Sequence, residues 1–153
     1  MASLSPRDAF DRNVRLHIYQ RLLTAGQAPS ASATASALNA SPADVEEAYQ
    51  RLAEGRLIVL RPGTTEILMA NPLSAVPTAF RVVVDGASHY GNCIWDALGV
   101  IAMLGGTGSV ESTCGDCGEP MSVMIAQGAP VRPEGIIHIQ VPAARWWDDI
   151  VFT

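Results

Sequence analysis

Two residues three apart, Cys93 and Asp96, form the most chemically suggestive pair in the chain. Residues i and i+3 share one face of a helix, and Tyr90-Gly91-Asn92 ahead of them reads as the lead-in to one. A cysteine in the first turn of a helix sits among unpaired amide N–H groups at the positive end of the dipole, which favours a thiolate. A thiolate beside a carboxyl group is one reactive unit. The sulfur is a nucleophile and a ligand for a soft metal, and the carboxyl carries a proton to whatever leaves. The same spacing also fits a small buried thiol followed by a capping carboxylate.

A second cluster is Cys114-Gly-Asp-Cys117-Gly. Two thiols in a C-x-x-C turn are half of a structural zinc site. A zinc ribbon needs a second such pair, and only Cys93 is left over; His89 or His138 would complete a Cys3His set. The alternative is a tight turn with one buried cysteine. The three histidines, His17, His89 and His138, are scattered and read as structural. The glycines 105, 106 and 108 follow a helix rather than open one, so they do not form a dinucleotide loop. No phosphate-binding loop, zinc-protease motif or nucleophile elbow occurs. Trp146-Trp147 followed by Asp148-Asp149 reads as a strand with one tryptophan inward, ending in a solvated turn.

The elements that must position these residues begin with helices. Ser5-Pro6 is an N-cap with proline in the first turn, and Phe10, Val14, Ile18 and Leu22 recur every four residues until Gly26. A short Ala/Ser helix is expected over 30–38. A third starts at Ser41-Pro42, carries Val45, Ala48, Tyr49 and Leu52 on one face, and ends near Gly55. Strands are expected at 57–60 and 66–69 around an Arg61-Pro-Gly-Thr turn. Three helices followed by a hairpin is the winged-helix pattern. Two prolines break the run 70–77, the expected joint between lobes. Beyond it, strands are expected at 80–84, 109–112, 121–125 and 136–141, with a helix over 93–104. The expected fold is thus α+β: a winged-helix-like three-helix lobe with a hairpin over 1–72, then a mixed sheet with a central helix over 73–153.

Composition narrows the function. The chain has 153 residues, 48% of them apolar and 16% charged, which supplies a core and argues against disorder. Its net charge is −5, and all ten basic residues are arginine. Residues 1–61 hold seven arginines against six carboxylates; residues 62–153 hold three against nine. The expected third helix carries Asp44, Glu46, Glu47 and Glu54 against Arg51, a poor surface for phosphates, so nucleic acid is not the expected partner. No apolar run approaches the ~20 residues of a membrane span. The first residues lack a secretory signal, and three cysteines make an odd count. Reduced thiols in a cytoplasmic protein are expected.

The run Phe80-Arg-Val-Val-Val-Asp-Gly, the block His89-Tyr-Gly-Asn-Cys93-Ile-Trp-Asp96-Ala-Leu, Gly105, Val110-Glu-Ser-Thr-Cys114 and Gly118-Glu-Pro120 together resemble the alkylmercury lyase (organomercurial lyase, MerB-like) family over residues 75–150. A winged-helix-like N-terminal lobe is also typical of that family. The resemblance implies an enzyme that protonolyses a carbon–mercury bond, releasing a hydrocarbon and Hg(II). It places the mercury-binding thiolate at Cys93 and the proton donor at Asp96. It implies a small organometallic substrate, external thiols for product release, no membrane and no required cofactor beyond Hg(II) as product and ligand. In the family a second cysteine completes the site after a segment like 148–153, where this sequence stops. Cys114 matches a usually structural family cysteine, and Cys117 is an extra thiol able to substitute. Two other readings stand beside the lyase. One is a non-catalytic binder of Hg, Cu or Zn using Cys93, Cys114 and Cys117; the other is a winged-helix DNA-binding regulator.

Overall fold

The computed structural model describes residues 5–132 and 134–151. Helix α1, Pro6–Ala25, starts where Ser5 Oγ accepts the Asp8 amide at 3.1 Å and stops at Gly26 in the left-handed region. Helix α2, Ala31–Leu38, and helix α3, Pro42–Glu54, are capped in the same way by Ser30 and Ser41. Each cap satisfies an amide that would otherwise lack a partner. Val14, Ile18 and Leu22 of α1 meet Val45, Ala48, Tyr49 and Leu52 of α3 in the interior. Tyr49 is fully buried, and its hydroxyl is satisfied by Thr34 Oγ1 at 2.8 Å and the Pro29 carbonyl at 3.1 Å. Arg51 of α3 grips Asp11 of α1 through two bonds of 2.8 and 2.7 Å, a forked geometry that fixes how the helices meet.

Eight strands follow: β1 Val59–Leu60, β2 Ile67–Ala70, β3 Leu73–Ser74, β4 Phe80–Val84, β5 Ala87–Gly91, β6 Gly108–Thr113, β7 Pro120–Ala126 and β8 Ala129–Pro130, with helix α4, Ile94–Met103, between β5 and β6. They form one sheet in the order β1-β2-β3-β5-β4-β6-β7-β8. The architecture is the expected α+β. The sheet, however, is antiparallel at every described pairing rather than mixed. The cause lies in the crossover. β5 and β6 run the same way because α4 carries the chain over, yet β4 lies between them and pairs with both. The Asp85-Gly86 turn, with φ of 49° and 78°, folds β5 back onto β4, the two-residue geometry that suits the right-handed twist of a hairpin.

The proline-broken run 70–77 contains β3, which pairs with β2 on one side and β5 on the other. The apolar cluster is likewise continuous, from Val14 and Tyr49 through Leu73 to Val82, Val100 and Val110. The strand expected at 136–141 is absent. Ile136, Ile137 and Ile139 are exposed and pair with no strand of the sheet. The tryptophan pair sits on a 3₁₀ helix, Ala143–Asp148, not a strand. Both rings are half-buried: Trp146 Nε1 donates to the Val141 carbonyl at 2.7 Å, and Trp147 lies 5.3 Å from the Arg56 guanidinium. Asp148 pairs with Arg145 at the surface.

Helix α4 lies against β3, β4, β5 and β6, with Ala97, Val100 and Ile101 facing the core. Its approach to β5 is very close. A Cβ on Gly91 would stand 2.4 Å from the Ala97 amide nitrogen and 2.7 Å from its Cα. Both are backbone atoms, so no side-chain rotation relieves the overlap. Gly91→Ala is therefore expected to destabilise the fold by about 3 kcal/mol or more, read as a fall of about 10 °C in Tm in thermal unfolding. A Tm within 2 °C of the parent would show that α4 does not rest on this glycine.

Candidate active site

The sequence Gly91-Asn92-Cys93 carries the chain from the end of β5 into α4. Gly91 permits the close approach, and Cys93, in extended conformation (φ −143°, ψ −179°), is the N-cap residue. Its carbonyl accepts the Ala97 amide at 2.9 Å, the first bond of the helix. The side chain makes no capping hydrogen bond of normal geometry, unlike Ser5, Ser30 and Ser41. The thiol is left half-buried above the first turn, where the amides of Asp96 and Trp95 favour its ionised form. Asp96 lies in the same turn and is also half-buried. The two side chains share the first turn of α4, and each shifts the proton affinity of the other.

The electrostatics differ from the sequence reading, in which helix-end amides favour an ionised thiolate. Burial pushes the Cys93 thiol above its usual value; the amides oppose the rise and the Asp96 charge adds to it. Burial also raises Asp96, partly offset by hydrogen bonds from Asn92 and Cys93. Desolvation disfavours two adjacent anions, so the pair holds on to a proton.

In the sequence Asn92 belongs only to the lead-in of a helix, yet it is the pivot of the site. Its Nδ2 donates to Asp96 Oδ2 at 3.1 Å and to Asn71 Oδ1 at 3.4 Å. Its Oδ1 is buried and has no partner. The Tyr19 hydroxyl of α1 donates to the Asn71 carbonyl, which links the helical part of the chain to the first turn of α4. Asn71 and Tyr19 lie 21 and 73 residues before Asn92, and no local pattern signals either contact.

The other thiols stand apart. Cys114 and Cys117 occupy the tip of the β6–β7 hairpin, Cys114 half-buried and Cys117 exposed. The amides of Cys117 and Asp116 lead in pulling the Cys114 thiol below its usual value. The three cysteines expected as one metal set are not gathered: among the described residues no three of His, Cys, Asp or Glu converge as a metal site. The reason is topological. Cys93 leaves β5 for α4, whereas Cys114 continues from β6 on the far side of β4. Neither candidate histidine completes a set. His89 is buried in β5, where desolvation lowers its proton affinity, and His138 lies exposed. His17 is half-buried and lowered by burial and then by Arg21. An open concavity of about 740 Å³, lined by Gln50, Ile58, Arg61 and Trp147 among others, lies away from Cys93 and brings no acid–base pair. The chemistry is concentrated instead at the head of α4. No described helix is long and apolar enough to cross a membrane.

With this geometry in view, comparison with known proteins is informative. No curated protein matches the chain. A solved structure of the mercury-bound form of MerB2 superposes with a TM-score of 0.59 at 20% identity, covering 82% of this chain and 66% of that one. The present chain thus spans just under two thirds of that protein's length, and the two share a fold. The alkylmercury lyase (MerB) family matches residues 73–153, from β3 through the Cys93–Asp96 turn to the last residue. Because that match takes in more than half of the sequence, the chain belongs to the alkylmercury lyase family.

Proposed function

We propose that this chain is an alkylmercury lyase that uses Cys93 and Asp96 as its reacting groups. The observation that supports the reading is the placement of a half-buried thiol and a half-buried carboxyl group in one helical turn, both raised by desolvation. The substrate is an alkylmercury cation delivered as its adduct with a small thiol. Cys93 sulfur attacks mercury, the thiol proton passes to the Asp96 carboxylate, and the small thiolate departs with its bonding pair. Mercury now bridges Cys93 sulfur and the alkyl carbon. Electron donation from sulfur increases the negative charge on that carbon. The Asp96 carboxylic acid then delivers its proton, the carbon–mercury pair becomes the new C–H bond, and the hydrocarbon leaves. Hg(II) remains on Cys93 beside the regenerated carboxylate until external thiols remove it. No resident cofactor enters the scheme. A soft cation prefers sulfur to oxygen, so Asp96 is free to act on the proton rather than on the metal.

Asn92 is the positioning residue in this scheme. Its bond to Asp96 Oδ2 aims the carboxyl group, and its bond to Asn71 fixes its own plane. Nucleic-acid binding through the helical part finds little support. On α3 Asp44, Glu46 and Glu47 are exposed, while Arg51 is occupied by Asp11 and Glu47.

Cys93→Ser is expected to lower hydrocarbon release by about 1,000-fold or more and to abolish tight alkylmercury binding. Asp96→Asn is expected to keep binding but to lose about 100-fold or more of release. Gas chromatography of the released hydrocarbon, alongside equilibrium binding, separates the two; normal turnover by Cys93→Ser would falsify the assignment.

A pH test follows from the Asp96 shift. Its carboxyl group is raised in the folded state, so the neutral form is the one the fold favours. That contribution is complete below the ordinary carboxylate value of about 4 and is lost as pH climbs through the raised value. Asp96→Asn removes the cost of burying the anion. The variant should therefore gain Tm relative to the parent at neutral pH and lose that gain near pH ~4. A constant difference across this range in thermal unfolding would contradict the raised carboxyl group.

A further inference from the structure

The two thiols at the β6–β7 tip take no part in the proposed reaction. They are also not core: Cys117 is exposed and Cys114 only half-buried. Unpaired cysteine is ordinarily among the most buried residues, and an exposed one is explained by its reactivity rather than its packing. The turn that holds the pair is closely defined. Six residue pairs from Gly108↔Ile125 to Thr113↔Pro120 lock β6 to β7 beneath it. Across the tip, the Cys114 amide donates to the Glu119 carbonyl at 2.8 Å, and the Gly118 amide donates back to the Cys114 carbonyl at 2.9 Å. Gly118, at φ 74°, takes the left-handed conformation that lets the chain turn immediately after the second cysteine. The amides of Asp116, Cys117 and Gly118 all act on Cys114 sulfur, and the Cys117 thiol is in side-chain contact with it. Asp116 and Glu119 flank the pair in sequence, and no arginine occurs between 82 and 131.

From the hairpin geometry we infer that Cys114 and Cys117 form a two-sulfur chelate for a thiophilic divalent cation such as Hg(II) or Cd(II), one per chain, separate from Cys93. Binding releases the two thiol protons as the two metal–sulfur bonds form, and no electron changes hands. C-x-x-C at a tight turn puts both sulfurs on one side of the hairpin, the arrangement that half of a tetrahedral thiolate site uses. No third protein ligand converges there among the described residues, so the remaining positions are open to water or small thiols. An open chelate of this kind binds and exchanges soft metal instead of locking it away as a structural centre. The local negative charge favours the cation, and the rigid ladder below the tip means little ordering is required on binding.

The test is titration of the reduced chain with a cadmium salt, followed by the ultraviolet thiolate-to-metal charge-transfer band. Four proteins are compared: parent, Cys93→Ser, Cys93→Ser/Cys117→Ser and Cys93→Ser/Cys114→Ser/Cys117→Ser. Thermal unfolding of the metal-free proteins verifies the fold, which exposed tip substitutions should leave intact. The expected result is a band saturating at one cation per chain in Cys93→Ser, weakened when Cys117 is also replaced and lost in the triple variant, with the parent as reference. Persistence of the band in the triple variant, or its absence from Cys93→Ser, overturns the chelate. Because the decisive comparison is made without Cys93, its outcome is independent of the lyase reading.

Discussion

The closeness of α4 to β5 is the constraint from which the site follows. At Gly91 the helix backbone occupies the volume a side chain would need, with the Ala97 nitrogen 2.4 Å from the notional Cβ. That approach has three consequences. It starts the helix directly at Cys93, two residues after the strand ends, so the thiol stands at the N-cap. It brings Asp96 down toward the sheet, where its carboxyl group loses water. And it leaves Asn92 wedged between the strand end and the β2–β3 turn, able to reach Asn71 and Asp96 together. A longer connection would place the same residues on a solvated loop, and none of their proton affinities would move.

Burial and the helix end act in opposite directions on this pair, and burial wins at both residues. Around Cys93 the amides of Asp96 and Trp95 favour the anion, as a helix N-terminus should, but desolvation and the neighbouring carboxylate outweigh them. The result is useful chemistry. An N-cap cysteine in water tends toward a permanent thiolate and keeps no proton to give. In the proposed reaction the proton stays within the pair until a soft cation displaces it from sulfur, and it then resides on a carboxyl group held by Asn92. The unpartnered Oδ1 of Asn92 fits the same picture: a half-satisfied amide in a buried site can accept a hydrogen bond when the proton distribution changes.

Much of this was legible in the chain because it is local. Ser5-Pro6, Ser41-Pro42 and the four-residue spacing of Val14, Ile18 and Leu22 specify α1 and α3 through caps and periodicity alone. The helix start at Cys93 and the shared turn with Asp96 follow from spacing and a glycine. Long-range features were not legible. That β4 inserts between β5 and β6, making the sheet antiparallel, depends on pairing choices that no single segment encodes. Strand β5 carries little local signal, because its five residues, Ala87–Gly91, are too short for a clear alternation. The apolar residues 136, 137 and 139 imitate a strand, but a strand also needs a free partner edge. The sign of the Cys93 shift was misread for a related reason: dipole and charge can be read from neighbours in sequence, whereas desolvation depends on what packs above.

The chain thus holds sulfur in two opposed environments, and the difference bears on how a soft metal would meet it. Cys93 is half-buried, raised by burial, and shares its helical turn with a carboxyl group. Cys114 is lowered by surrounding amides and sits beside a second thiol at an exposed tip. A reactive centre for protonolysis benefits from a low-polarity pocket, because proton transfer to carbon is not then competed for by water. A chelate benefits from the reverse: two sulfurs that release protons readily and stay accessible for exchange. One hairpin separates these demands. β6 carries the chain from the α4 side of the sheet out to the tip, so the acidic second part of the molecule offers both settings without either set of residues distorting the other.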